Sequence, residues 1–204
     1  MAQSTARIET LGDGVFAIAM TLLVLDLKVP VGATPGKLLD AAILLGPQLA
    51  AYVVSFMVLA VYWIGHHNQF HLIASTDRTL LWINIFFLMS IAFVPFSTGL
   101  LASYNQEKEA VILYGANVIF SGIALYLHWV YASGKGNLIH PNTPKSVIYI
   151  TKVRILTGIG FYIVTTAIAF LSTRISLVLF AALPFMYMFR SRVDNYFKED
   201  DSDR

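Results

Sequence analysis

Apolar residues fall along this chain in six blocks, separated by charged residues and by clusters of proline and glycine. The first block runs from about Ile8 to Leu27 and stops at Lys28-Val29-Pro30, ahead of a Gly/Pro-rich turn that reaches Gly36. Further blocks cover about 41–64, 79–101, 110–132, 155–171 and 175–189, and a charged tail occupies 194–204. A spanning helix takes about 20 mostly apolar residues. The pattern therefore predicts an all-α integral membrane protein with six transmembrane helices in one domain, 1–193. The sixth block is the shortest, and its fifteen residues rise only ~22 Å against a hydrocarbon core of ~30 Å. Arg174 and Arg190 would complete the span by snorkelling to opposite interfaces; the other geometry open to it is a re-entrant or interfacial helix. Pro47, Pro95 and Pro184 lie inside blocks and are expected to kink their helices.

Composition narrows the class further. The chain has 204 residues, 57% apolar and 13% charged, whereas an average soluble domain is roughly 45–50% apolar and about 25% charged. No stretch is left for a soluble catalytic domain, and a net charge of +2 is too small to serve a nucleic acid. Without cysteine, disulfides, zinc–thiolate sites and iron–sulfur clusters are excluded. Glu9 and Asp13 interrupt the first apolar block and no small-residue cleavage site follows, so the first helix is expected to stay in the mature protein.

Basic residues give an orientation. Six spans put Arg7, Arg78, Lys135, Lys145, Lys152, Arg154, Arg190, Arg192, Lys198 and Arg204 on one side, against Lys28, Lys37, Lys108 and Arg174 on the other. Both termini are thereby predicted to be cytoplasmic, with the protein in the plasma membrane. Trp63, Trp82 and Trp129 then fall at cytoplasmic helix ends, as an interfacial aromatic belt would place them.

The first helix carries the unusual chemistry. Asp13 lies about two turns inside it and Asp26 at its far end. A carboxylate at a helix centre costs ~2.5–3.5 kcal/mol on insertion scales and less near an interface, so Asp13 is expected to face protein or water. Ile18, Leu22 and Leu25 recur at i, i+4 and i+7 with Thr21 beside them; by periodicity alone, such a stripe is read as packing against a neighbouring helix. A second polar cluster, Trp63, His66, His67, Asn68, His71, Asp77 and Arg78, falls at the connection of helices 2 and 3. His67 and His71 have the i, i+4 spacing of two metal ligands if that stretch is helical, but no Glu lies between them. An interhelical polar network suits the cluster better, and no metal or other cofactor is expected. Asn84, Ser90, Asn117, His128, Thr165 and Thr166 are expected to hydrogen-bond between helices, and Gly158 and Gly160 to allow close packing.

The string Asp13-Gly14-Val15-Phe16-Ala17-Ile18, followed by Thr21-Leu22-Leu23-Val24-Leu25-Asp26, resembles the first helix of the transmembrane protein 175 family of potassium channels. The family's Arg-x-x-x-Phe-Ser-Asp motif is matched by Arg7 and by Leu11-Gly12-Asp13, with Phe and Ser replaced. Trp63, the His66-His67-Asn68-Gln69-Phe70 run, Asp77, Asn84 and Phe93-Val94-Pro95-Phe96-Ser97-Thr98 are similar as well. The resemblance implies a single-repeat homotetramer with four copies of helix 1 around a central pore and no Thr-Val-Gly-Tyr-Gly filter. Carried over by position, the constriction falls on Ile18, Leu22 and Leu25, and a hydroxyl tied to potassium preference falls on Thr21. Arg7 and Asp13 match a signature pair that ties helix 1 to Trp63, His67 and Asn68. Asp26 would stand at the extracytoplasmic mouth.

These expectations describe a potassium-permeable cation channel, open to other monovalent cations, surrounded by lipid, with a hydrophobic gate and no enzymatic step. The rival reading is a proton-coupled secondary transporter in which Asp13 and the helix 2–3 histidines titrate. A membrane metalloenzyme built on His66, His67 and His71 is disfavoured, since no activating acid accompanies them.

Overall fold

A computed structural model describes residues 5–28, 43 and 45–187. The Gly/Pro turn, the expected start of helix 2 at 41, the end of the sixth block at 189 and the tail 194–204 lie outside the described residues. Among the described residues seven α-helices follow one another: α1 (Ala6–Leu22, continued by a 3₁₀ turn, Leu23–Asp26), α2 (Gly46–Leu72), α3 (Arg78–Ala92), α4 (Val94–Ser103), α5 (Lys108–Ser133), α6 (Lys145–Ile168) and α7 (Thr173–Tyr187). Among the same residues five spans are long and apolar enough to cross a membrane: Ala6–Asp26, Gly46–Leu72, Arg78–Ser103, Lys108–Ser133 and Lys145–Ile168. The short apolar helix at Thr173–Phe185 is the sixth.

The prolines act at helix starts more than in helix interiors. Pro47 sits in the first turn of α2, where its missing N–H costs nothing, so it begins that helix and does not kink it. Pro95 likewise opens α4, and the third apolar block is divided at Phe93 into α3 and α4. Of these three, Pro184 alone lies inside a helix, α7.

Two helices run well beyond their apolar blocks. Helix α2 continues to Leu72, which makes the histidine cluster its last turns and not a connection. Helix α6 begins at Lys145, about ten residues before the apolar stretch that starts at Ile155. In both cases the polar extension is held by neighbours at one end of the molecule. His140 N–H donates to Leu72 O (2.9 Å) and Ala74 N–H to Leu138 O (2.8 Å), so the α2–α3 and α5–α6 connections are laced together. Asp77 caps α3, accepting from Leu80 N–H at 2.8 Å, and its other oxygen accepts from the Tyr131 hydroxyl at 2.6 Å. Trp129, expected at an interface, is instead fully buried beside Leu72 and Val147, its Nε1 donating to Ile148 O at 3.2 Å. Trp63 stands more than two turns inside the end of α2.

Helix α5 is the centre of the bundle, packed by α3, α4 and α6. Small residues permit the close approach: a Cβ on Gly115 would collide with Thr166 of α6, and one on Gly122 would lie 2.8 Å from Ile159 Cγ1. These two glycines, more than Gly158 and Gly160, set the α5–α6 spacing; Gly160 has nothing within 4 Å of its Cβ position.

The buried polar side chains pair across helices, as membrane interiors require. Ser121 donates to Ser90 (2.9 Å), Asn117 to Ser97 (3.0 Å) and Thr98 to Ser55 (2.9 Å), while Ser55 donates to Tyr114 (3.1 Å). His128 Nδ1 pairs with Gln69 Oε1 at 2.7 Å. Thr166 turns to its own helix, donating to Tyr162 O at 2.7 Å, and Thr165 serves through its carbonyl, which accepts from Ser176 at 2.7 Å.

Candidate functional site

Helix α1 divides cleanly into two faces. Ile8, Gly12, Phe16 and Ala19 are buried, at steps of four, four and three, and Leu23 continues the same stripe. This face packs on α2, α3 and α4. Phe16 at its centre lies 6.0 Å, ring centre to ring centre, from Phe87 of α3. The opposite face carries Ile18, Leu22 and Leu25, which remain 61%, 42% and 67% exposed. Among the described residues, none of the three joins the buried core.

The 3₁₀ turn sharpens this face. With 3.6 residues per turn, Leu25 would lie about 60° short of Leu22; with three per turn it eclipses it. The tightening at Leu23–Asp26 therefore stacks Leu25 over Leu22, and the three aliphatics form a ladder with ~6 Å rungs. Thr21 lies beside it, exposed. Its Oγ1 donates to the carbonyls of Ala17 and Ile18, each at 2.9 Å, so only its lone pairs are left to face outward.

Asp26 ends the ladder. Its carboxylate lies against α4 where Gly99 has no side chain: a Cβ there would sit 2.9 Å from Asp26 Oδ2. The residue stays exposed.

At the other end, Asp13 is exposed and its Oδ1 accepts from Trp63 Nε1 at 2.9 Å. The Trp63 ring stacks on His67, with centres 5.6 Å apart and planes 20° from parallel. Asp13, Trp63 and His67 thus form one group on the outer side of α1 and α2. Arg7 is exposed and reaches no partner among the described residues. Asn68 points elsewhere, into a cleft between α2 and α6. His67 and His71 share a helix face, but among the described residues no three of His, Asp and Glu converge as metal ligands would.

His66, read from the sequence as part of the polar cluster at the connection of helices 2 and 3, lies beneath α1. It is buried at 3% exposure, bonded to Asn84 Oδ1 at 2.8 Å and stacked on Phe87 at 5.3 Å. Its ring fills the space over Gly12, where a Cβ would come within 2.8 Å of Cε1. Gly12 thus leaves the space that the histidine fills. Sequence reasoning missed this contact, whose one signal is a glycine on the buried stripe of an otherwise apolar face.

Fold and site together define a multi-pass, all-helical membrane protein whose first helix turns an apolar ladder away from its own bundle. A family profile described as "Endosomal/lysosomal potassium channel TMEM175" matches residues 7–95. A potassium channel of Streptomyces collinus is 36% identical over 189 residues, covering 91% of this chain and 92% of that protein. A potassium channel of Chamaesiphon minutus is 35% identical over 195 residues, covering 92% and 95%. The crystal structure of a lysosomal potassium-selective channel TMEM175 homolog from Chamaesiphon minutus superposes with a TM-score of 0.82 at 33% identity, over 92% of this chain and 98% of that one. The human protein named endosomal/lysosomal proton channel TMEM175 is 25% identical over 146 residues, which is 29% of its length. The chain belongs to the TMEM175 family of channels.

Proposed function

We propose that this chain forms a homotetrameric, potassium-permeable cation channel in which four copies of α1 surround a central path. The observation that supports it most is the outward ladder of Ile18, Leu22 and Leu25, with no partner helix among the described residues and a carboxylate, Asp26, at one end. Four such ladders facing one another make rings of aliphatic side chains, which close a path by dewetting and admit an ion only as it sheds water. Thr21 supplies the one polar oxygen within the ladder. Because its hydrogen is engaged by its own helix, four hydroxyl oxygens turn their lone pairs to a permeating cation there. Four copies of Asp26 concentrate cations at the mouth. The process is passive, and no chemical step or cofactor enters it.

Asp13, Trp63 and His67 act as a lock that fixes α1 on α2, with Arg7 and Asn68 outside it. Placement in the plasma membrane with both termini cytoplasmic follows from the basic residues on the side of the α2–α3 and α5–α6 connections, and lipid surrounds the assembly. The test is current across a planar bilayer holding the purified protein, with potassium and sodium mixed and the pH equal on both sides. Cation current with a reversal potential displaced toward the potassium equilibrium is the expected result. Saturable, pH-driven uptake without unitary currents would replace the channel with a proton-coupled carrier.

A further inference from the structure

Helix α6 packs against α5 and α7 and leaves α2 across a cleft. The cleft has a volume of about 150 Å³. Along most of its length it is apolar, with Met57, Ala60 and Val61 on α2 and Ile155 and Ile159 on α6; α5 closes its floor at Gly122 and Leu125. One end is polar. There Asn68 of α2 faces Thr151 and Arg154 of α6, which share a helix face at i and i+3. Arg154 is the residue at which the apolar stretch of α6 begins, so this end lies at the depth of a membrane interface. Tyr187 holds α6 in place there, donating to Arg154 O at 2.6 Å with its ring centre 4.9 Å from the guanidinium carbon.

Two buried hydroxyl oxygens lining this cleft, Thr151 Oγ1 and Tyr162 Oη, have no hydrogen-bond partner among the described residues. Tyr162 is only 3% exposed. Buried hydroxyls are ordinarily satisfied, and each of these can donate to an acceptor. A phospholipid brings acceptors at its phosphate and ester oxygens, on chains of apolar carbons. Lys145, Lys152 and Arg154 on the same helix favour an anionic headgroup over a zwitterionic one.

We propose that the α2–α6 cleft is a binding site for an anionic phospholipid of the leaflet on the side of the α2–α3 connection, with one acyl chain along Ala60 and Ile155 and the phosphate at Arg154, Thr151 and Asn68. The site does not depend on the channel reading, and its test involves no current. The purified full chain, in its native assembly, is mixed with equal amounts of phosphatidylglycerol and phosphatidylcholine of identical acyl chains, and retained lipid is read by native mass spectrometry. The wild type is expected to keep phosphatidylglycerol several-fold over phosphatidylcholine. Arg154→Gln should abolish that preference and Arg154→Lys restore it, while Ala60→Phe, which fills the apolar length, should lower retention of both lipids. Thr151→Val, a near-isosteric change, should reduce the preference in a protein that elutes as the wild type does. Equal retention of the two lipids by the wild type would overturn the proposal. So would a preference that survives Arg154→Gln but falls with Arg174→Gln at the opposite end of the bundle, because the charge would then act without a site.

Discussion

The Cβ that Gly12 lacks would lie 2.8 Å from Cε1 of His66. The imidazole cannot give way, since it is bonded to Asn84 at 2.8 Å and enclosed by Phe16, Phe70 and Phe87 at ring-centre distances of 6.1, 4.7 and 5.3 Å. The seating of the first helix thus depends on one missing methyl group.

Gly12→Ala should therefore destabilise the protein. In a free helix the change would gain up to ~1 kcal/mol, but overpacking a filled site costs ~1–3 kcal/mol. A net loss is expected in thermal unfolding followed by loss of the assembled species in detergent. Gly12→Ala combined with His66→Ala should be less damaging than the sum of the two, because the second change removes the obstacle. Full additivity would show that the contact is not felt.

The Asp13–Trp63 pair predicts a coupling. Trp63→Phe and Asp13→Ala should each lower heat resistance by about 1 kcal/mol, a value kept low because both side chains are partly open to solvent. The double variant should lose little more than either single one. Arg7→Ala should have the smallest effect of the three, given its exposure. A larger loss from Arg7→Ala than from Asp13→Ala would shift the lock to the arginine.

Polar substitution on the ladder should open it. Ile18→Asn or Leu25→Asn is expected to raise bilayer current at a given voltage, since a wetted ring no longer excludes water. Thr21→Ala should move the reversal potential between potassium and sodium. An unmoved potential would leave that hydroxyl with a role only in its own helix.

If Asp26 rings the mouth as proposed, Asp26→Asn should reduce current at low ionic strength and have little effect at high salt, because exposed carboxylates act through a field that salt screens. A reduction independent of salt would place the effect in the Asp26–Gly99 contact.

Asp77 predicts a pH dependence. Burial alone would raise its carboxyl, but the Leu80 N–H, the Tyr131 hydroxyl and the Thr79 N–H outweigh that and hold its pKa below the usual carboxylate value. Its contribution to stability is thus fully present above the unfolded value and is lost as pH falls through the lower folded one. Tyr131→Phe removes one of these donors and brings the folded value up toward the unfolded one, so the variant should be less stable at neutral pH and should lose less on acidification, its loss ending at higher pH than in the wild type. Asp77→Ala should cost ~1 kcal/mol at neutral pH through loss of the α3 cap. Identical acid profiles for wild type and Tyr131→Phe would remove the hydroxyl from the account.

Hydrophobic patterning located the apolar segments, because a lipid-facing helix must be apolar along its length whatever its neighbours are. It could not carry α2 through His66 and His71 to Leu72, or start α6 at Lys145. Those turns are polar, and they are helical because the two connections at that end hydrogen-bond to each other. Trp129 misled for a related reason: an indole at a helix end suits an interface, yet here Val147 and Leu72 cover it.

The sequence by itself determined the membrane class, the apolar segments, the family motif on helix 1 and the residues of the ladder, since each of these is written in local order. Only the tertiary structure decided which face of helix 1 is buried and how the polar residues pair. Ile8, Gly12, Phe16 and Ala19 are as apolar as the ladder they oppose, so hydropathy cannot tell the two faces apart. Packing against α2, α3 and α4 chooses one of them, and Gly12 above His66 and Gly99 beside Asp26 fix its register. His128 and Gln69, 59 positions apart in the chain, meet only when α2 and α5 are laid side by side.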